Sequence, residues 1–289
     1  MATADYVLIT PARNEDAYIE KTFKAVIAQT VLPVKWVIVS DGSTDRTDEI
    51  VEHYASEHPF IELLRRKGDP SRNFGSQVHA INAGYDRLRG LKYDYIGNLD
   101  ADVSFHADYF ANLLDRFYAD PELGIGGGSI FEEKNGTFQA RGTNSTSSVA
   151  HAVQLFRRRC FEEIGGYVPL KYGGPDWCAE VMARMKNWRV QSFTDLPVYH
   201  HKPTLTAEGM IKGGFRQGRM DYSLGSSQVF ELFKCLSRIG VKPYVIYSVI
   251  RLAGFYRGYL LREERQVDGD FMRSLRKEQY TKICKHLVP

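Results

Sequence analysis

The feature that most constrains this chain is an alternation. Within the first 120 residues, four short apolar, β-prone runs are each followed by a stretch of helical periodicity. The runs are Tyr6–Thr10, Lys35–Ser40, Ile61–Leu64 and the stretch from Tyr93 to Asp102, which reads as a strand running into a loop. The helical stretches present Ile19, Phe23, Val26 and Ile27; then Ile50, Val51, Tyr54 and Ala55; then Val78, Ile81, Tyr85 and Leu88; then Phe110, Leu113, Leu114 and Phe117. Continuous apolar strands alternating with amphipathic helices predict an α/β fold: a doubly wound, mostly parallel sheet with helices on both faces. Polar ligands of such sheets bind at the carboxyl ends of the strands. Thr10, Asp41, Arg72, Asp100 and Asp102 all follow strands, or lie in loops expected at that edge.

Asp100 and Asp102 are two apart, so on an extended backbone their carboxylates point the same way. Two converging carboxylates make a hard oxygen site suited to Mg²⁺ or Mn²⁺, which in turn bridges to phosphate oxygens. No G-x-G-x-x-G follows the first strand and no G-x-x-x-x-G-K-[ST] occurs anywhere. This speaks against a dinucleotide oxidoreductase and a P-loop NTPase. A divalent metal together with Arg72 would hold phosphates instead.

Beyond residue 122 the pattern changes. Gly124–Phe131 is Gly-rich, which marks close approach of a ligand or of another backbone. Val153–Arg158 alternates like a strand, and Cys160–Ile164 reads as a short helix stopped by Gly165-Gly166. Pro175-Asp176 opens a helix with Trp177, Val181 and Met185 on one face. Asp176 is normal first-turn chemistry, and equally a carboxylate at the mouth of a site, with Glu180 in reserve on the same face. Val198–His201 is a strand end with two adjacent imidazoles, one of them a candidate metal ligand.

The formal net charge of +3 conceals a split. Residues 1–199 hold 22 Lys and Arg against 27 Asp and Glu; residues 200–289 hold 16 against 8. A basic C-terminal third predicts an anionic partner. Residues 205–289 read as helical, with Val245, Val249, Leu252, Ala253, Tyr256 and Leu260 on one face. Lys242, Arg251 and Arg257 interrupt that face, so it is not a transmembrane span; it packs on the α/β domain or lies on a membrane surface. Acids interleave with the bases at 263–270 and no recognition motif is present, which argues against nucleic acid. The four cysteines form no C-x-x-C and read as thiols of a reducing compartment. Val7–Thr10 is too short for the apolar core of a secretory leader, so the expected location is cytoplasmic, peripheral at the inner membrane face at most.

In order and spacing, these motifs together resemble the family 2 inverting glycosyltransferases of the GT-A fold. The resemblance is carried by Ile9–Glu15, Val39–Asp45, Asn73-Phe74-Gly75 with Ala80–Gly84, Asp100-Ala101-Asp102, Phe156-Arg157-Arg158 with Ile164–Tyr167, Pro175-Asp176-Trp177 and His200, over residues 5–201. It implies transfer of a sugar from a nucleotide-diphospho-sugar, a UDP-sugar first, to a hydroxyl of a carbohydrate or lipid-linked acceptor in polysaccharide or glycolipid synthesis. By the same resemblance Thr10, Pro11, Ala12, Arg13 and Glu15 line the nucleoside pocket. Asp41 contacts base or ribose, and Arg72 the base or phosphates. Asp100 and Ala101 sit at the donor, Asp102 binds Mn²⁺ or Mg²⁺ with Asp100 and His200 beside it, and Asp176 is the general base. Residues 1–203 would form the catalytic domain, with a nucleotide half 1–122 and an acceptor half 123–203; residues 204–289 would form a helical extension, packed on the core or facing a membrane. Two departures stand out. Pro175 precedes Asp176 where Glu is usual. Arg216-Gln217-Gly218-Arg219-Met220 replaces the Q-x-x-R-W of processive members, so single-sugar addition is expected. The rival readings are a sugar-1-phosphate nucleotidyltransferase and a non-catalytic nucleotide- or sugar-binding module.

Overall fold

The computed structural model describes residues 4–68, 74–134, 136–202, 209–237 and 245–287. The chain forms two compact units: residues 1–169 with 175–203, and residues 170–174 with 204–289.

Among the described residues the first unit is built on nine strands: β1 (Tyr6–Ala12), β2 (Lys35–Asp41), β3 (Ile61–Arg66), β4 (Tyr95–Asn98), β5 (Val103–Phe105), β6 (Leu123–Lys134), β7 (Thr137–Ala140), β8 (Leu155–Arg157) and β9 (Arg189–His200). Its helices are α1 (Ile19–Ile27), α2 (Thr47–Glu57), α3 (Phe74–Arg87), α4 (Tyr109–Ala119), α5 (Arg158–Glu163) and α6 (Pro175–Met185). The sheet order is β3-β2-β1-β4-β8-β6-β9-β5, with β7 beside β6. β1 to β4 pair in parallel, as the alternation predicts. β8 then enters antiparallel between β4 and β6, β6 and β9 run parallel, and β5 closes antiparallel to β9. Residues of β1 alternate between two cores. Tyr6 and Leu8 pack with Phe23, Trp36 and Phe110 on one face; Val7 and Ile9 pack with Val78, Ile81 and Phe156 on the other. Burial on both faces is why the strand has no polar side to show.

The stretch expected to be strand from Val153 to Arg158 is shorter in the fold. His151–Val153 is a 3₁₀ turn, and only Leu155–Arg157 is strand. The backbone N–H groups of Asn98 and Asp100 donate to the carbonyls of Gln154 and Ala152 at 2.9 and 3.0 Å. Those carbonyls serve the loop after β4 instead. The Gly-rich stretch resolves to backbone approach, one of its two expected meanings. A Cβ on Gly128 would lie 2.1 Å from the Leu196 carbonyl oxygen, and one on Gly127 would lie 2.6 Å from that of Val153.

The second unit contains α7 (Gly209–Ser223), α8 (Gln228–Leu236), α9 (Val245–Leu260) and α10 (Gly269–Leu287). α7 and α9 meet through Gly218 and Gly254: a Cβ on Gly218 would fall 1.9 Å from the Arg251 carbonyl oxygen. Arg251 itself is buried, donating to Glu231 at 2.7 Å and to Asp221. Lys234 joins the same two acids at 3.2 Å. The arginine that seemed to break the apolar face of α9 therefore points inward. Among the described residues no helix is long and apolar enough to cross a membrane. All four cysteines are free thiols, and Cys160, Cys178 and Cys235 are buried.

Candidate active site

β4 ends at Asn98, and its loop is held on both sides. Leu99 N–H donates to the Ile9 carbonyl on β1, and Asp100 N–H donates to Ala152. On the far side of the loop, the buried Thr22 hydroxyl of α1 donates to the Val103 carbonyl at 2.8 Å and accepts the Val103 N–H at 3.1 Å. The antiparallel ladder sets Val103 of β5 opposite His200 of β9, and His201 N–H donates to the Asp102 carbonyl at 2.9 Å. Sheet pairing, not sequence proximity, thus carries His200 to the D-x-D loop.

Potential ligand atoms of Asp100, Asp102 and His200 all lie within 4.8 Å of one another. Asp102 Oδ1 sits 3.4 Å from His200 Nε2. Asp102 Oδ1 and His200 Nδ1 are both buried without a hydrogen-bond partner. The imidazole turns Nε2 toward Asp102, so a cation between them would partner the orphaned Asp102 Oδ1. The donor set of two carboxylates and an imidazole suits Mn²⁺ or Mg²⁺. Electrostatics agree. Burial, then the charges of Asp100 and Glu15, push the Asp102 carboxyl up to about 8. Burial also holds His200 below the usual imidazole range, against the pull of Asp100. Glu15 is raised by burial despite a 2.6 Å bond from Lys202 Nζ, and its Oε2 is buried and unpartnered. Three acids crowd together in a place where one of them must stay protonated unless positive charge arrives.

His151 is a site residue that the sequence reading missed. Its Nδ1 lies 3.5 Å from Asp100 Oδ1, and its carbonyl accepts from Asn98 Nδ2 at 2.6 Å. Gln77 Nε2 approaches the same Asp100 oxygen at 3.4 Å. Burial disfavours ionised Asp100, but the His151 bond and charge outweigh it and hold the carboxyl below its ordinary range. The two carboxyls are thus pushed in opposite directions, Asp100 down by His151 and Asp102 up by burial and its acidic neighbours.

Asp176 stands half-buried in the first turn of α6, and its charge is felt at both His151 and Tyr167. Glu180, one turn on, is 1% exposed. It accepts from Val149 N at 2.7 Å, from Ser148 Oγ at 3.1 Å and from Gln154 Nε2 at 3.4 Å, which ties it to the chain on both sides of His151. Burial raises its carboxyl to about 7.

The remaining expected residues are distributed around this centre. Thr10 is fully buried, and its hydroxyl accepts from Trp36 Nε1 at 2.9 Å. Ala12 and Ala101 are buried, while Pro11 and Arg13 are half-buried at the end of β1. Asp41 ends β2 and meets Arg66 at 3.3 Å. Asn14, at φ +55°, accepts the Thr44 N–H at 2.8 Å and ties the first strand-end loop to the second. Arg72 lies outside the described residues. Glu15, Asp100, Asp102 and His200 are brought together; Asp41 belongs to the β2–β3 edge.

Comparison with known proteins bears on the family and the fold. The model of Glycosyl transferase family 2 matches residues 7–174. Chondroitin synthase of Escherichia coli is 26% identical over 167 residues, 54% of this chain and 23% of that protein. The chain spans between 16% and 36% of the length of the curated relatives it matches. Among solved structures, the mannosyltransferase PcManGT of Pyrobaculum calidifontis, in complex with GDP-Man and Mn²⁺, superposes with a TM-score of 0.56 at 18% identity, over 97% of this chain and 75% of that one. TarS 1-349 of S. aureus, in complex with UDP-GlcNAc, gives 0.55 at 14% identity over 94% and 78%. These likenesses show the GT-A type of fold, and with the family match over more than half the chain they place it: the chain belongs to glycosyl transferase family 2.

Proposed function

We propose that this glycosyltransferase is a metal-dependent, inverting enzyme that moves one sugar from a nucleotide-diphospho-sugar, a UDP-sugar first, to a hydroxyl of a carbohydrate or lipid-linked acceptor in polysaccharide or glycolipid synthesis. The observation that carries the reading is the convergence of Asp100, Asp102 and His200 around the buried, unpartnered Asp102 Oδ1. These three residues would hold Mn²⁺ or Mg²⁺. The ion would supply Lewis acidity toward the leaving diphosphate. His151 and Gln77 orient Asp100, and the β5–β9 ladder orients His200. Asp176 accepts the proton of the acceptor hydroxyl. The hydroxyl oxygen attacks the anomeric carbon opposite the departing diphosphate, so the configuration inverts.

Single addition is favoured by the work already assigned to the segment that replaces Q-x-x-R-W. Gln217 accepts from Tyr247 at 2.6 Å and from Arg251, and Arg219 donates to Glu263 at 2.7 Å. These side chains are occupied within the helical unit.

The test is a thermal-shift panel of UDP, GDP, CDP and dTDP, each with Mn²⁺, Mg²⁺ or chelator. One nucleotide should stabilise only with metal, by about 2.7 kcal/mol at a hundredfold excess over Kd. Asp102→Asn should lose that metal-dependent part. A shift that survives chelator, or none at all with any nucleotide, overturns the reading.

A further inference from the structure

α8 and α9 are built the wrong way round for helices bathed in water. Their charge faces inward, except for Arg257, which is half exposed on the same side of α9 as Ile246 and lies 4.0 Å from Glu263. Arg251 and Lys234 are neutralised against Asp221 and Glu231, and all but Lys234 are almost fully buried. Their outer faces are apolar. On α9, Ile246 and Val249 are 61% and 56% exposed, and Leu260 continues the same stripe at i+14 from Ile246. On α8, Val229, Leu232 and Leu236 stand exposed at i, i+3 and i+7. The two faces are neighbours. Ser248 Oγ donates to the Cys235 carbonyl at 3.0 Å, so Leu236 and Val249 flank the contact in sequence. A surface carrying this many large apolar groups side by side marks a place where something else sits.

Charge selects the occupant. The only acid in either helix is Glu231, and it is wholly buried. The outer faces therefore carry no carboxylate. The chain from 200 onward holds twice as many bases as acids. That excess of positive charge disfavours seating a second copy of the same unit on this face. An anionic lipid surface would accept both the apolar stripe and the positive field. We propose that the outer faces of α8 and α9 dock on an anionic bilayer, with Val229, Leu236, Ile246 and Val249 entering the headgroup–acyl boundary.

The test is flotation of the full chain with vesicles of equal parts phosphatidylcholine and phosphatidylglycerol, and with vesicles of phosphatidylcholine alone. The wild type should bind the mixed vesicles about tenfold or more tightly than the neutral ones, and high salt should reduce that difference. Ile246→Glu with Val249→Glu, and independently Val229→Glu with Leu236→Glu, should each weaken binding to mixed vesicles by about tenfold or more. All four positions are more than half exposed, so the fold should survive, and an unchanged circular dichroism spectrum and melting temperature check that. Equal binding by wild type and both variants overturns the proposal, as does no binding by the wild type. Light scattering that finds a dimer abolished by the same substitutions also overturns it, because a second copy would then be the occupant.

Discussion

At the scale of single residues, two carboxylates one helical turn apart do different work. Glu180 is consumed by Val149, Ser148 and Gln154, whereas Asp176 stands half-buried beside His151. General-base help is typically worth about 10²–10⁴-fold. Asp176→Asn should therefore lower kcat by about that factor while the nucleotide-dependent thermal shift stays at its wild-type value. An unchanged kcat would remove Asp176 from the mechanism. The D-x-D pair and the His pair were legible because adjacent like residues at a strand end are a local pattern. His151 was not. It is a single imidazole in a polar stretch, and what makes it part of the site is a set of bonds to Asn98 and Asp100 about fifty residues earlier. Thr10 shows what the sequence left unread: a hydroxyl at a strand end that also accepts from Trp36 on the next strand.

Among the elements, the first four strands and their helices were readable because burial on both faces leaves a continuous apolar signal, and amphipathic helices leave a 3.6-residue one. β5 was not: three residues whose strand character comes from pairing with β9 carry no periodicity of their own. The α7–α9 pair was half readable. Its apolar positions were visible, but which side faced inward depended on glycines. On α7 two glycines differ sharply. A Cβ on Gly213 meets nothing within 4 Å, while one on Gly218 would strike the Arg251 carbonyl oxygen and the Phe255 nitrogen on α9. Gly213→Ala should stabilise the protein by about 0.5–1 kcal/mol through helix propensity alone. Gly218→Ala should destabilise it by about 1–3 kcal/mol, because backbone must move aside. Urea unfolding of both variants checks the pair, and equal effects would mean that the helices do not approach this closely.

For the molecule as a whole, the buried acid Glu180 of α6 sets a direction for stability against pH. Glu180 is raised from 4.5 to about 7 by burial. The folded state then binds more protons than the unfolded state between those values, so stability from this group is full below about 4.5 and falls as pH rises through about 7. The difference corresponds to up to about 3 kcal/mol. Glu180→Gln, which keeps the size and the acceptor, should flatten that decline. Stability measured at pH 5 and pH 8 should separate wild type and variant more at the higher pH, with the variant gaining. Identical slopes would mean that Glu180 ionises freely.

The residues just ahead of Asp176 also bear on how this protein can be taken apart. Residues 170–174 belong with the helices of the second unit: Lys171 N–H donates to Gln266, the Tyr172 carbonyl accepts from Arg216, and Gly174 packs on Met220. The chain leaves the first unit at 169 and rejoins it at 175. No single cut therefore yields both units whole. A protein ended at 203 would keep every strand and the entire D-x-D centre, yet would strand five residues without their partners directly before the helix that bears the proposed base. In the vocabulary of modular evolution, the helical unit is not an appendix that can be swapped by recombination at one junction. It is joined to the first unit at three points of the chain, 169–170, 174–175 and 203–204.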